Sequence, residues 1–109
     1  MKKSIGKITS VKFGFGGYQD VQFGITLCVD TTDGCACTGD WMWTNEPDRY
    51  TKWTLFDQDK AYTRIMRYVI KLMSDAKVNN VADLEGKPVE ATWEGNHLES
   101  IRILTEVIL

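Results

Sequence analysis

Residues 57–76, DQDKAYTRIMRYVIKLMSDA, have the clearest periodicity in the chain and predict an amphipathic helix from Asp57 to Ala76. Apolar residues recur on one side of this predicted helix at helical spacing: Ala61, Ile65, Tyr68, Val69, Leu72 and Ala76. Thr54 or Asp57 is expected to cap its first free N–H groups. A helix with one long apolar side must pack that side against another element, so its neighbours in the sequence decide the architecture.

Those neighbours are β-prone, with three segments before the helix and two after it. The segments are Lys2–Phe13, Tyr18–Asp30, Cys35–Trp43, Pro88–Glu94 and His97–Leu109. The second alternates apolar and polar residues without interruption, as a half-buried strand does. In the first, Ile5, Val11 and Phe13 share one parity and Ile8 has the other, which predicts a bulge near Gly6.

The order of three strands, a helix and two strands predicts the fold class. We expect an α+β or mainly β protein: a small five-stranded antiparallel barrel or strongly curved sheet, with the helix between strands 3 and 4. At 109 residues with 43% hydrophobic residues, the chain is expected to form a single domain over residues 1–109.

Composition narrows the classes of function. The net charge of −2 and the pI of about 5.3 argue against a dedicated, non-specific nucleic-acid binder. No apolar run has the length of a signal peptide or a membrane span, so we expect a cytosolic protein with no membrane partner. The odd number of cysteines, Cys28, Cys35 and Cys37, favours free thiols in a reducing compartment over a disulfide framework.

Signatures of catalysis and of metal binding are weak. The three cysteines and His97 could formally supply a zinc site, but the Cys35–Cys37 spacing is not that of a zinc knuckle, and we predict no metal. His97 has no obvious nucleophile to activate. The glycine-rich stretch 14–17 lacks the Lys-Ser/Thr pair of a P-loop and is expected to join two strands. We therefore predict a protein that is not an enzyme and holds no cofactor.

Aromatic residues are concentrated just before the predicted helix. Within sixteen residues the sequence contains Trp41, Trp43, Tyr50, Trp53 and Phe56. Such side chains stack on nucleobases or anchor protein interfaces when they are exposed, and fill the core when they are not. The sequence leaves both possibilities open.

A basic stripe runs along the predicted helix, away from its apolar side. It consists of Lys60, Arg64, Arg67 and Lys71, at spacings of four, three and four residues. Four like charges at this spacing repel one another mildly. A solvated face is the ordinary explanation, and the alternatives are an acidic partner or an Asp or Glu from the strands.

The strand order, together with the stretch LEGKPV at residues 84–89, resembles the oligonucleotide-binding (OB) barrel, in which a helix links strands 3 and 4. This resemblance implies a binding surface on strands 2 and 3, made by Tyr18, Gln22, Thr26, Trp41 and Trp43, with Tyr50 and Trp53 as further candidates. The same two strands and their turn carry Asp20, Asp30, Asp33 and Asp40, with no Lys or Arg between Gly14 and Arg49. An acidic cleft would repel phosphates, which favours a protein or a small nucleotide-like ligand.

Longer stretches also resemble small uncharacterised proteins encoded by tailed phages and prophages. They are IGKITSVKFGFGGYQD, GDWMW, KVNNVADLEGKPVEATWEGN and SIRILTEVI. The resemblance implies a phage setting in a bacterial cytoplasm and brings no activity with it. The leading hypothesis is a phage accessory protein that binds a host or phage macromolecule, for host takeover or anti-defence. The alternatives are an OB-like binder of single-stranded nucleic acid or a nucleotide, and a virion or assembly component, with self-association left open.

Overall fold

The computed structural model describes residues 1–17, 21–44 and 53–108, and its elements follow the predicted order. Three strands come first, β1 (Lys2–Gly16), β2 (Gln22–Thr31) and β3 (Gly34–Trp43), followed by α1 (Leu55–Ala76). Two strands complete the sheet, β4 (Pro88–Glu94) and β5 (His97–Ile103). Short 3-10 turns occupy Val81–Leu84 and Thr105–Val107, so the last strand ends well before the predicted Leu109.

The strands form one antiparallel sheet in the order β3-β2-β1-β4-β5. The long β1 strand organises it, because its first residues pair with β4 and the rest of the strand pairs with β2. No hydrogen-bonded pairing joins β3 to β5 in the described parts of the chain. The five-stranded antiparallel sheet and its helix are therefore confirmed, whereas the sheet is not closed into the predicted barrel.

A bulge in β1 decides which of its side chains enter the core. The register with β2 shifts between Ile8 and Ser10, and the Thr9 hydroxyl donates to the carbonyl oxygen of Cys28 over 3.1 Å. The prediction of a bulge near Gly6 was wrong by three residues. With the extra residue at Thr9, Ile8 shares the inner face with the later apolar residues of β1, whereas Ile5 points outward and is 51% exposed.

The core lies between α1 and the inner face of the sheet. The predicted apolar side of the helix supplies Ala61, Ile65, Val69, Leu72 and Ala76, all buried. The sheet supplies fully enclosed side chains such as Ile8, Ile25 and Leu27. Each such side chain contributes about 1.5–3 kcal/mol through loss of apolar contact with water, which holds the helix on the sheet.

The helix has defined ends. Thr54 and Asp57 form a capping box: Asp57 N–H donates to the Thr54 hydroxyl oxygen over 3.1 Å, and Thr54 N–H donates to the Asp57 carboxylate over 3.0 Å. The Thr54 hydroxyl also donates to the Asp57 carboxylate over 2.9 Å, and this bond, with that from the Thr54 N–H, lowers the pKa of Asp57. At the other end Lys77 takes a left-handed conformation, and the Val78 N–H donates to the Met73 carbonyl oxygen.

Replacing the cap gives a first testable prediction. Thr54→Ala should lower the free energy of unfolding by about 1 kcal/mol at pH 7, measured by urea denaturation. Thr63→Ala, which removes an exposed threonine from the middle of the same helix, should be neutral or slightly stabilising because alanine favours helix. Equal losses for the two variants would contradict the assignment of the cap.

The cap should also depend on pH. Because the folded pKa of Asp57 lies below its ordinary value of about 3.9, its stabilising effect is fully present above that value. The effect is lost as the pH falls through the lower, folded pKa. The difference between Thr54→Ala and the parent chain should therefore shrink below about pH 4, and a constant difference down to pH 2 would contradict the Asp57 contribution.

Candidate ligand-binding face

The side of β1, β2 and β3 that points away from α1 brings together most of the predicted binding residues. Side chains alternate along each strand, so residues of opposite parity to the buried Ile25 and Leu27 form this outer face. Three rows cross it from β1 to β3: Lys12, Thr26, Gly39; then Gly14, Gly24, Trp41; then Gly16, Gln22, Trp43. Gln22, Thr26, Trp41 and Trp43 thus share one surface.

Gly14, Gly16 and Gly24 form a glycine floor on the outer face, and Trp41 lies against it at Gly24. A Cβ atom at Gly24 would overlap the carbonyl oxygen of Asp40 and would lie 2.8 Å from Trp41 Cδ1. Only glycine therefore leaves room for the indole at this place, directly above the backbone of β2. Trp41 remains 42% exposed and Trp43, two residues further along β3, remains 47% exposed. Both indoles can accept a flat ligand on their open sides.

Lys12 lies on the opposite side of this floor. A Cβ atom at Gly16 would lie 3.3 Å from Lys12 Nζ, so the ammonium group reaches along β1 over the glycines. Between Lys12 and Trp41 is an open hollow of about 190 Å³. Besides glycines, its lining includes Phe15, Gln22 and Thr26. The hollow combines an aromatic surface, a cation and two polar side chains, which suits a small planar group that carries negative charge nearby.

The acidic residues that argued against a phosphate ligand are placed differently. Asp40 stands opposite Ile25 in the β2–β3 register and shares its inner face, where the carboxylate binds Arg64 of α1 in bidentate fashion. The two N–O distances are 2.7 and 2.8 Å. The assignment of Asp40 to the cleft was therefore wrong, because strand alternation directs it to the helix.

The remaining acidic residues leave the hollow free of described negative charge. Asp33 lies in the β2–β3 turn and pairs with Lys2 Nζ at 2.9 Å. Asp30 is on the outer face but lies opposite Lys7. It is six residues along β2 from Gly24, the residue opposite Trp41. Asp20 lies outside the described residues. The outward side of β1, in contrast, presents Lys3, Lys7 and Lys12, and β1 contains no acidic residue.

The outer face also contains a disulfide. Cys28 and Cys37 stand directly opposite each other in β2 and β3 and are bonded to each other. The expectation of three free thiols was therefore wrong for this pair, because the hairpin register brings the two side chains together. Cys35 is free and exposed, and its thiol donates to Asp30 over 3.3 Å. This hydrogen bond and the negative charge of Asp30 raise the pKa of Cys35.

A metal site built on these cysteines has no support within residues 1–17, 21–44 and 53–108. In those ranges no group of three or more His, Cys, Asp or Glu side chains could hold a metal ion. Cys28 and Cys37 are joined in the disulfide. His97 lies at the start of β5, opposite Glu94 in the β4–β5 register.

Two of the four residues of the basic helix stripe form ion pairs within the molecule. Arg64 is held by Asp40, and this hydrogen bond raises the pKa of the guanidinium group. Lys71 Nζ lies 2.9 Å from the Asp75 carboxylate, and Lys60 Nζ lies 4.5 Å from the centre of the Phe56 ring. For Arg67, no ion pair with another described residue is present. The stripe therefore does not act as a continuous cationic surface.

Other predicted site residues lie elsewhere. Trp53 is half-buried and packs against the core, and Phe56 is exposed on the first turn of α1. Tyr18 and Tyr50 lie outside the described residues.

Sequence reasoning missed Lys12 and the glycine floor, although a signal was present: Lys12, Gly14 and Gly16 share one parity in β1, and Gln22, Gly24 and Thr26 share one in β2.

Two further observations bear on the class of protein. No helix among the described residues is long and apolar enough to cross a membrane. Comparison of the chain with protein-family models, with curated proteins and with solved structures finds no match.

Proposed function

We propose that this chain is a non-enzymatic binding protein whose outer face binds single-stranded nucleic acid. The observation that carries the proposal is the exposed indole of Trp41, which lies over Gly24 and faces Lys12 across the hollow. An aromatic platform next to a cation is the combination that single-strand binders use, with bases stacked on the ring and phosphates near the charge.

The arrangement of these side chains suits a single-stranded nucleic acid better than a single nucleotide. Trp41 and Trp43 share a face two residues apart, which places them about 7 Å from each other along β3. Lys12 of β1 is two strands away from this pair, at about 10 Å, and Lys7 lies further along β1, in the row of Asp30. A single strand lying along the sheet would stack successive bases on β3 and direct its phosphates toward β1.

The strand pairings also support an OB-like arrangement. In this sheet β1 pairs with both β2 and β4, and Cα atoms of β3 and β5 approach within 8 Å of each other although no hydrogen-bonded ladder joins them. In OB folds the face of strands 2 and 3 binds oligonucleotides. A nucleic-acid ligand on this face is also compatible with the wider proposal of a phage-type accessory protein that acts on host or phage machinery.

The number of lysines near the phosphates sets how strongly binding should depend on salt concentration. With Lys12 and Lys7 near phosphates, log K should fall with log salt concentration with a slope of about −1.4. Titration of the chain with oligothymidine and mixed-sequence single strands should quench tryptophan fluorescence at low salt, and Lys12→Gln should reduce the slope by about 0.7. Absence of quenching by any single strand at low salt would overturn the proposal.

A further inference from the structure

A second apolar stripe on α1 faces solvent, on the flank of the helix that borders Phe13, Phe23 and Met42 of the sheet. Its members are Leu55, Tyr62, Met66 and Ile70, and their exposed fractions range from 46 to 63%. Spacings of seven, four and four residues keep them on one line of the helix. A single-chain protein seldom leaves so many large apolar side chains in one row, so the row indicates an interface.

The stripe borders an apolar groove. Tyr62, Ile65 and Met66 form its helix wall, and Phe13, Phe23 and Met42 form its sheet wall, around a volume of about 280 Å³. The sheet wall is well defined, because Phe23 packs edge-to-face with both Phe13 and Phe15 at 5.2 Å between ring centres. The groove is wide enough to receive an aliphatic side chain from outside.

Charges of opposite sign mark the two ends of the stripe. Asp59 lies near its start and Lys77 near its end, both exposed. They are 18 residues apart, about 27 Å along the axis: Asp59 lies on the line of the stripe, and Lys77 is the C-cap residue at the far end of the helix. Within the described part of the chain neither side chain forms an ion pair. Residue 68 is level with the midpoint between them along the helix axis. Met66 and Ile70 lie equally far on either side of that level.

We propose that the occupant of this face is a second copy of the chain, with the two α1 helices packed antiparallel about a two-fold axis near residue 68. In this arrangement Asp59 of each copy lies beside Lys77 of the other, and Met66 lies beside Ile70. Ile70 of each copy then lies beside Met66 of the other copy and enters that copy's groove. Two-fold symmetry makes every contact occur twice, as an isologous interface requires.

The area available is sufficient for a weak to moderate dimer. The half-exposed stripe residues, with Phe13, give each copy five large apolar side chains, which together bury on the order of 1,000 Å² across the dimer. The interface lies on the side of the molecule opposite the outer face. Dimerisation therefore leaves the proposed nucleic-acid site open and does not depend on it.

Sedimentation equilibrium of the whole chain from about 1 to 200 µM tests the proposal. We expect a reversible monomer–dimer equilibrium in this range, and Ile70→Glu should shift it to monomer with unchanged circular dichroism. A parent chain that stays monomeric at 200 µM, or a dimer that survives Ile70→Glu, would overturn the proposal.

Charge reversal tests the antiparallel register. Asp59→Lys and Lys77→Asp should each weaken the dimer by about tenfold, because two attractive pairs become repulsive. The double reversal should restore the parent affinity, and Glu99→Lys, on the exposed side of β5, serves as the matched control with no effect. Equal affinities for the single and double reversals would overturn the antiparallel arrangement.

Discussion

Trp41→Ala is expected to weaken single-strand binding by about ten- to a hundredfold, since stacking of one base on an aromatic side chain contributes about 1–3 kcal/mol. The indole lies over Gly24 with one side open, so its removal leaves a glycine floor with nothing on which a base can stack. Anisotropy of a fluorescein-labelled oligothymidine measures the effect without relying on the tryptophan signal.

The controls for this experiment separate stacking from folding. Trp41→Phe retains an aromatic surface and should bind within a few-fold of the parent chain. Phe56→Ala removes an exposed aromatic residue from α1, away from the outer face, and should leave binding unchanged. Unaltered binding by Trp41→Ala would exclude Trp41 as the platform. Equal losses in Trp41→Ala and Phe56→Ala would point to a general effect.

Trp93→Ala is expected to cause the largest loss of stability, about 3–5 kcal/mol in the free energy of unfolding. Trp93 is 5% exposed in β4, and its indole N–H donates to the hydroxyl oxygen of the buried Ser4 over 2.8 Å. This hydrogen bond ties β4 to β1 inside the core. Because small domains are stable by about 5–15 kcal/mol, the variant should lose a large part of its total stability in urea denaturation.

Two further variants divide this loss into its parts. Trp93→Phe keeps most of the ring but removes the donor to Ser4, so it should cost only about 1–2 kcal/mol. Trp43→Ala removes an exposed tryptophan of the same sheet and should change stability by less than about 1 kcal/mol. A Trp43→Ala loss as large as that of Trp93→Ala would contradict the assignment of inner and outer faces.

Local pattern predicted the elements well. The helix from Asp57 to Ala76 begins two residues earlier than predicted, and the Thr54–Asp57 cap is present. The alternation in the second segment identified Ile25 and Leu27 as inward-facing, since that signal depends only on neighbours in the sequence. The predicted bulge was misplaced because a bulge near Gly6 brings Ile8 into phase with Ile5, whereas one at Thr9 brings it into phase with Val11. Only pairing with Cys28 and Val29 of β2 selects between them.

The candidate site was predictable only in part. Gln22, Thr26, Trp41 and Trp43 were expected on strands 2 and 3, and the structure places them on one face. Lys12 was overlooked because it comes from β1, and its nearness to Trp41 depends on the register of two strand pairs. The exposed stripe of Tyr62, Met66 and Ile70 was overlooked because apolar residues on a helix are ordinarily assigned to its core.

The sequence by itself determined the order of the elements, the helix cap and the alternation of each strand, because these depend on contacts within a few residues. Tertiary structure alone decided where the charges and the sulfur atoms lie. Asp40 turns to Arg64, Cys28 meets Cys37, and Lys12 approaches the glycine floor below Trp41 because strand register joins residues that are distant in the chain. The physical reason is that register is set by the summed packing of the whole sheet, which no local stretch encodes.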